Sequence, residues 1–597
     1  MQTYTAPLRD MRFVLHELND STSLLALPGL EEVTPELIDS VLEEAGKITS
    51  SVLLPLNASG DAEGCHCENG VVRTPKGFKE AYDLFRDGGW SALGGAPEHG
   101  GQGLPESVAK LVEEMICSTN LAFGMYPGLT QGACRALEHH GDAALKAIYL
   151  PKMTEGVWTG TMCLTEPHCG TDLGLLRTRA EPLAQGGYRI TGSKIFISAG
   201  EHDLTENIIH LVLARLPDAP PGVRGISLFL VPKFLVNPDG SLGARNGVTC
   251  AAIEHKMGIK ASATCQLSFD DAIGYLVGEP HKGMRAMFTM MNHARLTVAV
   301  QGLGIAEASY QGAVAYARDR LQGRSLAGAK RPDLPADPII VHPDVRRMLL
   351  TIRAYTEGCR ALGAWLAREL DIAHYSPDKA ARQQAEDFVA LMTPVAKAMF
   401  TDFGYEAASL AVQVYGGHGY IRDHGMEQYV RDARITMLYE GTNGVQALDL
   451  VGRKLPANMG RSLRYFFQPV SAFIEANAAD PGIGKLVASF AKAFGALQQA
   501  TAHVAQAGLR DPEEAGAAAT EYLRLFGLVA LGYVWLRAAK IAEEKQPTAE
   551  GGDVAFYQAK RDTARFYIDR LLPQAGALYA SIKTGKASMM AFSEAAF

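Results

Sequence analysis

The chain has 597 residues, of which 47% are apolar and 20% are charged, as is typical of a soluble globular protein. This length exceeds one ordinary hydrophobic core, so we expect three or more domains. The net charge of -8 gives no global attraction for nucleic acid. We find neither the apolar core of a signal peptide nor an apolar run long enough to span a bilayer. The nine scattered cysteines fit a reducing cytoplasm.

The first 160 residues read as a leader followed by helices. Residues 1–35 are polar and contain proline, whereas residues 36–160 show apolar residues at helical spacing. Within them, the glycine-rich stretch 88–105 predicts a shaped loop. The cluster Cys65-His66-Cys67 lacks a second ligand pair at zinc spacing, so we predict a loop there and no metal site.

The rest of the chain changes from strands back to helices. Residues 161–280 contain short β-forming runs separated by Asn, Gly, Pro and Asp, which is typical of an antiparallel sheet or barrel. The runs are residues 161–164, 188–197, 208–214, 226–231 and 265–269. Helical patterns return over residues 281–455, interrupted by a polar, proline-rich insert at 322–343. They continue through an alanine-rich segment, residues 456–597. This order predicts an α+β fold with an extra C-terminal helical domain.

One glutamate lies where two helices are predicted to meet. An apolar-spaced run ends at Glu440, Gly441 breaks it, and a second helix is predicted to begin at once. Asn443 would be its N-cap, with Gln446 in capping-box spacing. Partial burial would raise the pKa of Glu440 and make it a better base near neutral pH. On spacing alone, a surface glutamate at a helix end remains the alternative interpretation.

Three further stretches have residue types suited to ligand binding. Residues 162–172 leave a strand and enter a loop that offers hydroxyls and backbone N–H groups to a polar ring edge or a phosphate. Residues 192–200 place an aromatic side chain and a hydroxyl near a strand end. Residues 413–420 contain glycines that allow close backbone approach, but they do not match the dinucleotide fingerprint. An ordinary turn and ordinary core packing remain the alternatives for the first two.

Taken together and in this order, these stretches resemble the acyl-CoA dehydrogenase family of flavoproteins over about residues 36–455. The segments that carry the resemblance are Thr165-Glu-Pro, Gly192-Ser-Lys, Arg295, Tyr316-Ala-Arg-Asp-Arg320, Gln413-Val-Tyr-Gly-Gly417, Arg431-Asp-Ala-Arg434 and Tyr439-Glu-Gly-Thr442. The leader and the C-terminal domain make the chain similar to the long branch of the family. That branch includes very-long-chain enzymes and the bacterial 3-methylmercaptopropionyl-CoA dehydrogenases, and the loop beginning at Thr165 is closest to the bacterial group.

The resemblance implies FAD-dependent dehydrogenation of an acyl-CoA to the trans-2-enoyl-CoA, in fatty acid β-oxidation and with electron-transfer flavoprotein as the electron acceptor. Glu440 matches the family's base, which takes the α proton while flavin N5 accepts the hydride from the β carbon. Its backbone N–H and a flavin ribityl hydroxyl would bind the thioester carbonyl. Some relatives carry the base just before the conserved arginine, but Met290–Arg295 contains no carboxylate.

The resemblance also assigns binding residues. Those expected beside or behind the flavin ring are Met162, Leu164, Thr165, Thr171, Phe196, Ile197 and Ser198. Those expected at the acyl-CoA are Thr171, Asn292, Arg295 and Gly441, while Thr442 would contact the adenine half of FAD. Residues expected to reach FAD in a neighbouring subunit are Arg320, Gln413, Gly416 and Gly417, which implies a homo-oligomer, most simply a dimer.

The chain departs from the family pattern at several of these positions. Phe196 replaces a usual Trp, which keeps a stacking ring but loses the indole N–H. Gly323 and Gly444 replace a common Phe and a common Gln, so two FAD contacts are in doubt. His168-Cys169 replaces small residues and changes the rim of the pocket.

Four questions about the function follow from the resemblance: the substrate, the electron acceptor, binding to DNA and contact with a membrane. The substrate is a fatty acyl-CoA or a short methylthio-substituted acyl-CoA, and an acyl-CoA oxidase would share the fold and the base. A DNA-associated flavoprotein would need a basic C-terminal domain, but residues 455–597 carry only 15 basic against 13 acidic side chains. The apolar run 522–542 is predicted to be buried and not to contact a membrane.

Overall fold

The structure, a computed structural model, describes residues 2–597. Its α-helices, in chain order, are α1 (Leu8–Arg12), α2 (Ser21–Leu25), α3 (Pro35–Ile48), α4 (Pro55–Glu63), α5 (Phe78–Asp87), α6 (Glu106–His140), α7 (Ala143–Glu155), α8 (Gly283–Asp319), α9 (Pro343–Tyr375), α10 (Lys379–Tyr415), α11 (Met426–Thr436), α12 (Asn443–Asp449), α13 (Arg461–Asn477), α14 (Gly484–Arg510), α15 (Pro512–Lys545), α16 (Gly552–Phe566), α17 (Gln574–Ile582) and α18 (Ala587–Met590). The strands are β1 (His66–Glu68), β2 (Val71–Arg73), β3 (Trp158–Cys163), β4 (Arg179–Pro182), β5 (Tyr188–Ser198), β6 (Asn207–Arg215), β7 (Ile226–Pro232), β8 (Phe234–Val236), β9 (Leu242–Arg245), β10 (Val248–Ile253) and β11 (Thr264–Val277). This order of elements confirms the predicted α+β class.

The chain forms two compact units. The first contains the residues up to Gly46, Pro105–Ser118 and Val298–Phe597, and the second contains Lys47–Leu104 and Thr119–Thr297. This division reflects how the chain packs and does not follow the order of the sequence. The domain boundaries derived above therefore remain predictions.

The second unit contains a seven-stranded sheet in the order β10-β11-β5-β4-β6-β3, with β7 pairing with both β11 and β6. Most pairs are antiparallel, as predicted, but β3 and β4 run parallel to β6. Parallel pairing needs a long connection, and between β3 and β6 the chain supplies one that includes β4 and β5. The pattern did not predict β4 and β9, which are short and mostly exposed, nor β8 and β10, which are partly buried. Likewise, His66 and Cys67 lie on β1 of a small hairpin, so the predicted loop there is wrong.

Long helices form the core of the first unit. Helices α8 and α10 approach closely at Gly302. A Cβ at this position would lie only 2.4 Å from the carbonyl oxygen of Phe400. Glycine is the residue that permits such a backbone contact. On α9, the ring of Tyr355 stacks on Phe403 of α10 with centroids 3.7 Å apart.

Helix α15 fills the core of the C-terminal segment. Its Trp535 is buried and donates its indole N–H to the carbonyl oxygen of Ala354 on α9 at 3.0 Å. Among residues 2–597, Pro512–Thr548 is the one segment that is long and apolar enough to cross a membrane, and 83% of its apolar window is buried. That burial agrees with the prediction of a core helix.

A cluster of buried charges ties the leader to the helices of the first unit. Arg360 on α9 donates from Nε to both carboxylate oxygens of Glu114 at 3.0 Å, and from its terminal nitrogens to Asp10 and Glu307. Lys560 of α16 bonds to Asp10 as well. We call these five residues the Arg360 cluster. The leader is therefore an integral part of the core.

Candidate active site

The Glu440 loop connects α11 to α12 in the first unit. The helix α11 ends at Thr436, so the prediction that it reaches Glu440 is wrong. Glu440 and Gly441 follow with φ of 56° and 84°, two left-handed residues in succession. A left-handed conformation is costly for a residue with a Cβ and persists only where its surroundings hold it. The half-buried Glu440 thus lies on a constrained backbone.

Asn443 anchors this loop to α10, and the prediction that it caps α12 is wrong. Thr442 occupies the N-cap position, and its side chain makes no capping bond. The Asn443 amide donates to Asp402 at 2.7 Å and accepts from the buried Lys397 at 2.9 Å. Gln446 also departs from the capping box, since its amide donates to the carbonyl oxygen of Gly441 at 3.1 Å.

A second anchor lies on the other side of Glu440. The Tyr439 hydroxyl donates to the side-chain oxygen of Gln301 on α8. Glu440 is therefore held between Tyr439, fixed to α8, and Asn443, fixed to α10. Neighbours locked in this way hold a reactive side chain to a narrow range of positions.

We expect Asn443→Ala to lower kcat by about 10–100-fold, because small misplacements of a catalytic group have effects of this size. The KM for acyl-CoA should change less than kcat. Steady-state kinetics with flavin content measured in parallel would test this. Asn237→Ala, which removes an exposed amide between β8 and β9, is the matched control. Equal kcat values for Asn443→Ala and wild type would show that the anchor does not position a catalytic group.

In the second unit, six of the predicted flavin residues belong to two adjoining segments. The carbonyl oxygen of Thr165 accepts a bond from the N–H of Ile195 at 2.9 Å, which joins the end of β3 to β5. The residues brought together in this way are Met162, Leu164, Thr165, Phe196, Ile197 and Ser198. The side chain of Ile197 is buried in the sheet core, so only its backbone is available to a ligand. Thr171 lies in an exposed position on the same loop.

Phe196 gives this surface the character of a stacking platform. Its φ is 58°, and 60% of the side chain is exposed although it lies on a central strand of the sheet. An aromatic ring held open to solvent on a constrained backbone suits the face of a planar heteroaromatic group. The residues present therefore fit an isoalloxazine ring.

A buried ion pair supports this platform. Lys194 donates from Nζ to the Glu166 carboxylate and to the carbonyl oxygen of Leu164, both at 2.9 Å. Burial opposes ionisation of Glu166, but the Lys194 charge and the hydrogen bonds from Lys194, Thr178 and Arg177 together lower the Glu166 pKa. Burial lowers the Lys194 pKa in turn, against the attraction of Glu166. Sequence reasoning named the Thr-Glu-Pro and Gly-Ser-Lys motifs but missed that their charged residues form this pair.

Ligand-type atoms of Glu166, His168 and Cys169 lie within 4.8 Å of one another. The Glu166 carboxylate, however, already accepts bonds from the Arg177 and Thr178 amides and from Lys194. We therefore interpret these three residues as stabilising the loop through hydrogen bonds, and we propose no metal there.

We expect Glu166→Gln to weaken FAD binding and lower the thermal stability of the protein. The change leaves the Lys194 ammonium buried without a countercharge, which typically costs about 3–5 kcal/mol. Titration of the deflavinated variant with FAD and a melting curve would measure both effects. Glu181→Gln, on the exposed strand β4, should leave both unchanged. Wild-type FAD affinity in Glu166→Gln would contradict the assignment.

Asn292 and Arg295 lie one turn apart on α8 in the second unit. Arg295 is 5% exposed and donates to the Asn292 amide oxygen at 3.3 Å. Asn292 itself is exposed. The structure thus brings together these two predicted acyl-CoA residues.

The residues predicted to serve a neighbouring subunit lie at the ends of α8 and α10 in the first unit. Tyr316 and Tyr415 stack with ring centroids 4.1 Å apart and hold the two helix ends together. The residues exposed there are Arg320, Gln413, Gly416 and Gly417. Gly323 nearby has φ of 73°, a left-handed conformation that favours glycine.

Comparisons with known proteins agree with this architecture. Family models match four successive parts of the chain: acyl-CoA dehydrogenase N-terminal domain over residues 66–157, middle domain over 161–272, C-terminal domain over 281–455, and acetyl-CoA dehydrogenase C-terminal like over 466–593. A crystal structure of an acyl-CoA dehydrogenase complexed with FAD from Bacillus anthracis aligns with a TM-score of 0.74 at 18% identity, covering 98% of this chain and 92% of that one.

Two curated relatives align over nearly the whole chain. The chain is 44% identical over 581 residues to 3-methylmercaptopropionyl-CoA dehydrogenase of Ruegeria pomeroyi, covering 97% of this chain and 98% of that protein. It is 34% identical over 613 residues to a butyryl-CoA dehydrogenase of Syntrophomonas wolfei, covering 100% and 99%. The fold and these relatives thus define a flavin-dependent oxidoreductase. The chain belongs to the acyl-CoA dehydrogenase family, whose cofactor is FAD.

Proposed function

We propose that Glu440 is the catalytic base of this protein and removes the α proton of an acyl-CoA thioester. The observation behind this assignment is the doubly anchored, left-handed loop that presents a carboxylate at the α11–α12 joint. FAD, when bound on the Phe196 platform, supplies the acceptor for the hydride of the β carbon. The Glu440 backbone N–H would polarise the thioester carbonyl and so acidify the α carbon.

We further propose a short-chain substrate, with 3-methylmercaptopropionyl-CoA preferred. Support comes from the 44% identity to the Ruegeria enzyme, compared with 34% to the butyryl-CoA dehydrogenase. The two substrate classes resemble each other in shape, because a thioether sulphur replaces a methylene group of a linear chain. Fatty acid β-oxidation with short linear substrates is the second candidate.

A substrate panel tests this proposal. We expect kcat/KM to be highest for 3-methylmercaptopropionyl-CoA, followed by pentanoyl-CoA and butyryl-CoA, and to fall steeply at palmitoyl-CoA. Pentanoyl-CoA is the matched control, since it has the same chain length without sulphur. A maximum at palmitoyl-CoA would overturn the short-chain proposal while leaving the dehydrogenase chemistry intact.

We propose electron-transfer flavoprotein as the acceptor and a cytoplasmic homodimer as the working form. Both curated relatives are named dehydrogenases, which favours an acceptor other than oxygen. The exposed Arg320 and Gln413 suit contact with the flavin of a second subunit. Rapid oxygen uptake without dye reduction would indicate an oxidase, and an active FAD-loaded monomer in sedimentation would exclude the shared site.

A further inference from the structure

Three thiols of the second unit lie together at the edge of the seven-stranded sheet. Cys67 belongs to the β1–β2 hairpin, Cys250 to β10 and Cys265 to β11. Cys250 and Cys265 belong to one buried cluster of the sheet, and Cys67 packs against that cluster. All three are free thiols. The family reaction described above uses none of them.

The fold brings these thiols together from distant parts of the chain. Strands β10 and β11 are antiparallel neighbours, with a bulge just after Cys250. The hairpin lies directly against β10. A Cβ at Gly70 would be only 3.3 Å from the carbonyl oxygen of Cys250. Cys67 is half-buried, whereas Cys250 and Cys265 are buried. The group therefore extends from an accessible hairpin into the sheet.

The three thiols differ in acidity. The Cys265 thiol, and after it the Cys67 thiol, donates a hydrogen bond to the Cys250 sulphur and lowers the Cys250 pKa despite burial. A buried thiol elsewhere in the unit behaves in the opposite way, since burial raises the pKa of Cys163 to about 12. The thiolate is the reactive form of cysteine. Cys250, whose thiol lies between the other two and has the lowered pKa, is therefore the candidate nucleophile of the group.

We propose that Cys67 and Cys250 form a reversible disulfide when the protein meets a hydroperoxide such as hydrogen peroxide. The Cys250 thiolate attacks the O–O bond, which breaks to give a sulfenic acid and hydroxide. That hydroxide takes the proton of the Cys67 thiol and leaves as water. The Cys67 sulphur then attacks the Cys250 sulphur, the S–S bond forms, and the displaced hydroxide takes up the proton first lost by Cys250. Both sulphurs are oxidised, and one peroxide is reduced to two waters.

Cys67 is a better partner for Cys250 than Cys265 because the two sulphurs must approach to about 2 Å. Cys265 lies on β11, which pairs with β10 on one side and β5 on the other. Moving it would disturb both ladders. Cys67 lies on a two-stranded hairpin, which can shift without breaking the main sheet. The disulfide would fasten that hairpin to the sheet whose strand β5 carries Phe196.

The test uses the full-length FAD-loaded protein treated with hydrogen peroxide, blocked with an alkylating agent and digested without reductant. We expect mass spectrometry to show one linked peptide pair containing Cys67 and Cys250, with two fewer alkylated thiols. Dithiothreitol should restore both. Oxidation should also raise the melting temperature, since a cross-link closing a long loop restricts the unfolded chain.

Three variants test the pairing. Cys67→Ser and Cys250→Ser should each abolish the linked peptides and the rise in melting temperature. Cys134→Ser, at a similarly half-buried thiol, should retain both. A Cys250–Cys265 linkage in the wild type would overturn the proposal, as would irreversible oxidation of Cys67 without any linkage. Each readout is independent of substrate and of catalytic turnover.

Discussion

Glu440→Gln should abolish turnover while the fold and the bound FAD are kept. Loss of a general base alone typically lowers the rate by about 10²–10⁴-fold. We expect the upper end of this range, because a thioester α proton is a very weak acid and needs a positioned acceptor. Glutamine is nearly isosteric with glutamate and keeps the backbone N–H, so acyl-CoA should still bind. Anaerobic mixing with 3-methylmercaptopropionyl-CoA should therefore perturb the flavin spectrum without bleaching it.

Glu427→Gln is the control for this experiment. Glu427 lies on α11, the helix that precedes the Glu440 loop, and pairs with Arg431. The change therefore removes a nearby carboxylate and leaves the proposed base intact. It should bleach the flavin at close to the wild-type rate. Bleaching at that rate in Glu440→Gln would show that Glu440 is not the base, and a carboxylate of the loop around Asp172 would then be the next candidate.

The sequence predicts those parts of the fold that depend on local patterns. Helical spacing predicts the long helices, and β-forming runs locate the cores of β3, β5, β6, β7 and β11. The ordered motifs also select Thr165 and Phe196, which the structure places on adjoining segments. Short, mostly exposed strands such as β4 and β9 were missed, since few apolar residues mark them.

Long-range side-chain partners account for most of what the sequence could not show. Local rules favour Asn443 as an N-cap, but Lys397 and Asp402, more than forty residues earlier, bind its side chain instead. Asp337 in the polar insert gives another example. Its carboxylate accepts the amides of Ser325 and Arg331, and the Ser325 bond is the main cause that lowers the Asp337 pKa to about 2. No local pattern marks such a hub.

Arg360→Met should destabilise the first unit strongly, because it leaves carboxylates of the Arg360 cluster buried without their shared countercharge. Removing one partner of a buried ionic group typically costs about 3–5 kcal/mol. The melting temperature should fall, and amide exchange should accelerate in α1, which carries Asp10. Arg347→Met is the matched control on the same helix. Its partner Asp344 is exposed, so its loss should cost less than about 1 kcal/mol.

The loss of thermal stability in Arg360→Met should also depend on pH. Burial raises the pKa of Glu114 to about 7, and Arg360 opposes this shift. Without Arg360 the Glu114 pKa should rise further, so the carboxyl would stay neutral over a wider range. A group whose pKa is raised by folding contributes stability that is full below its unfolded-state pKa and is lost as the pH rises through its folded-state pKa. The difference in melting temperature from wild type should therefore be smaller at pH 6 than at pH 8. A pH-independent loss no larger than that of Arg347→Met would show that the cluster does not hold the leader in place.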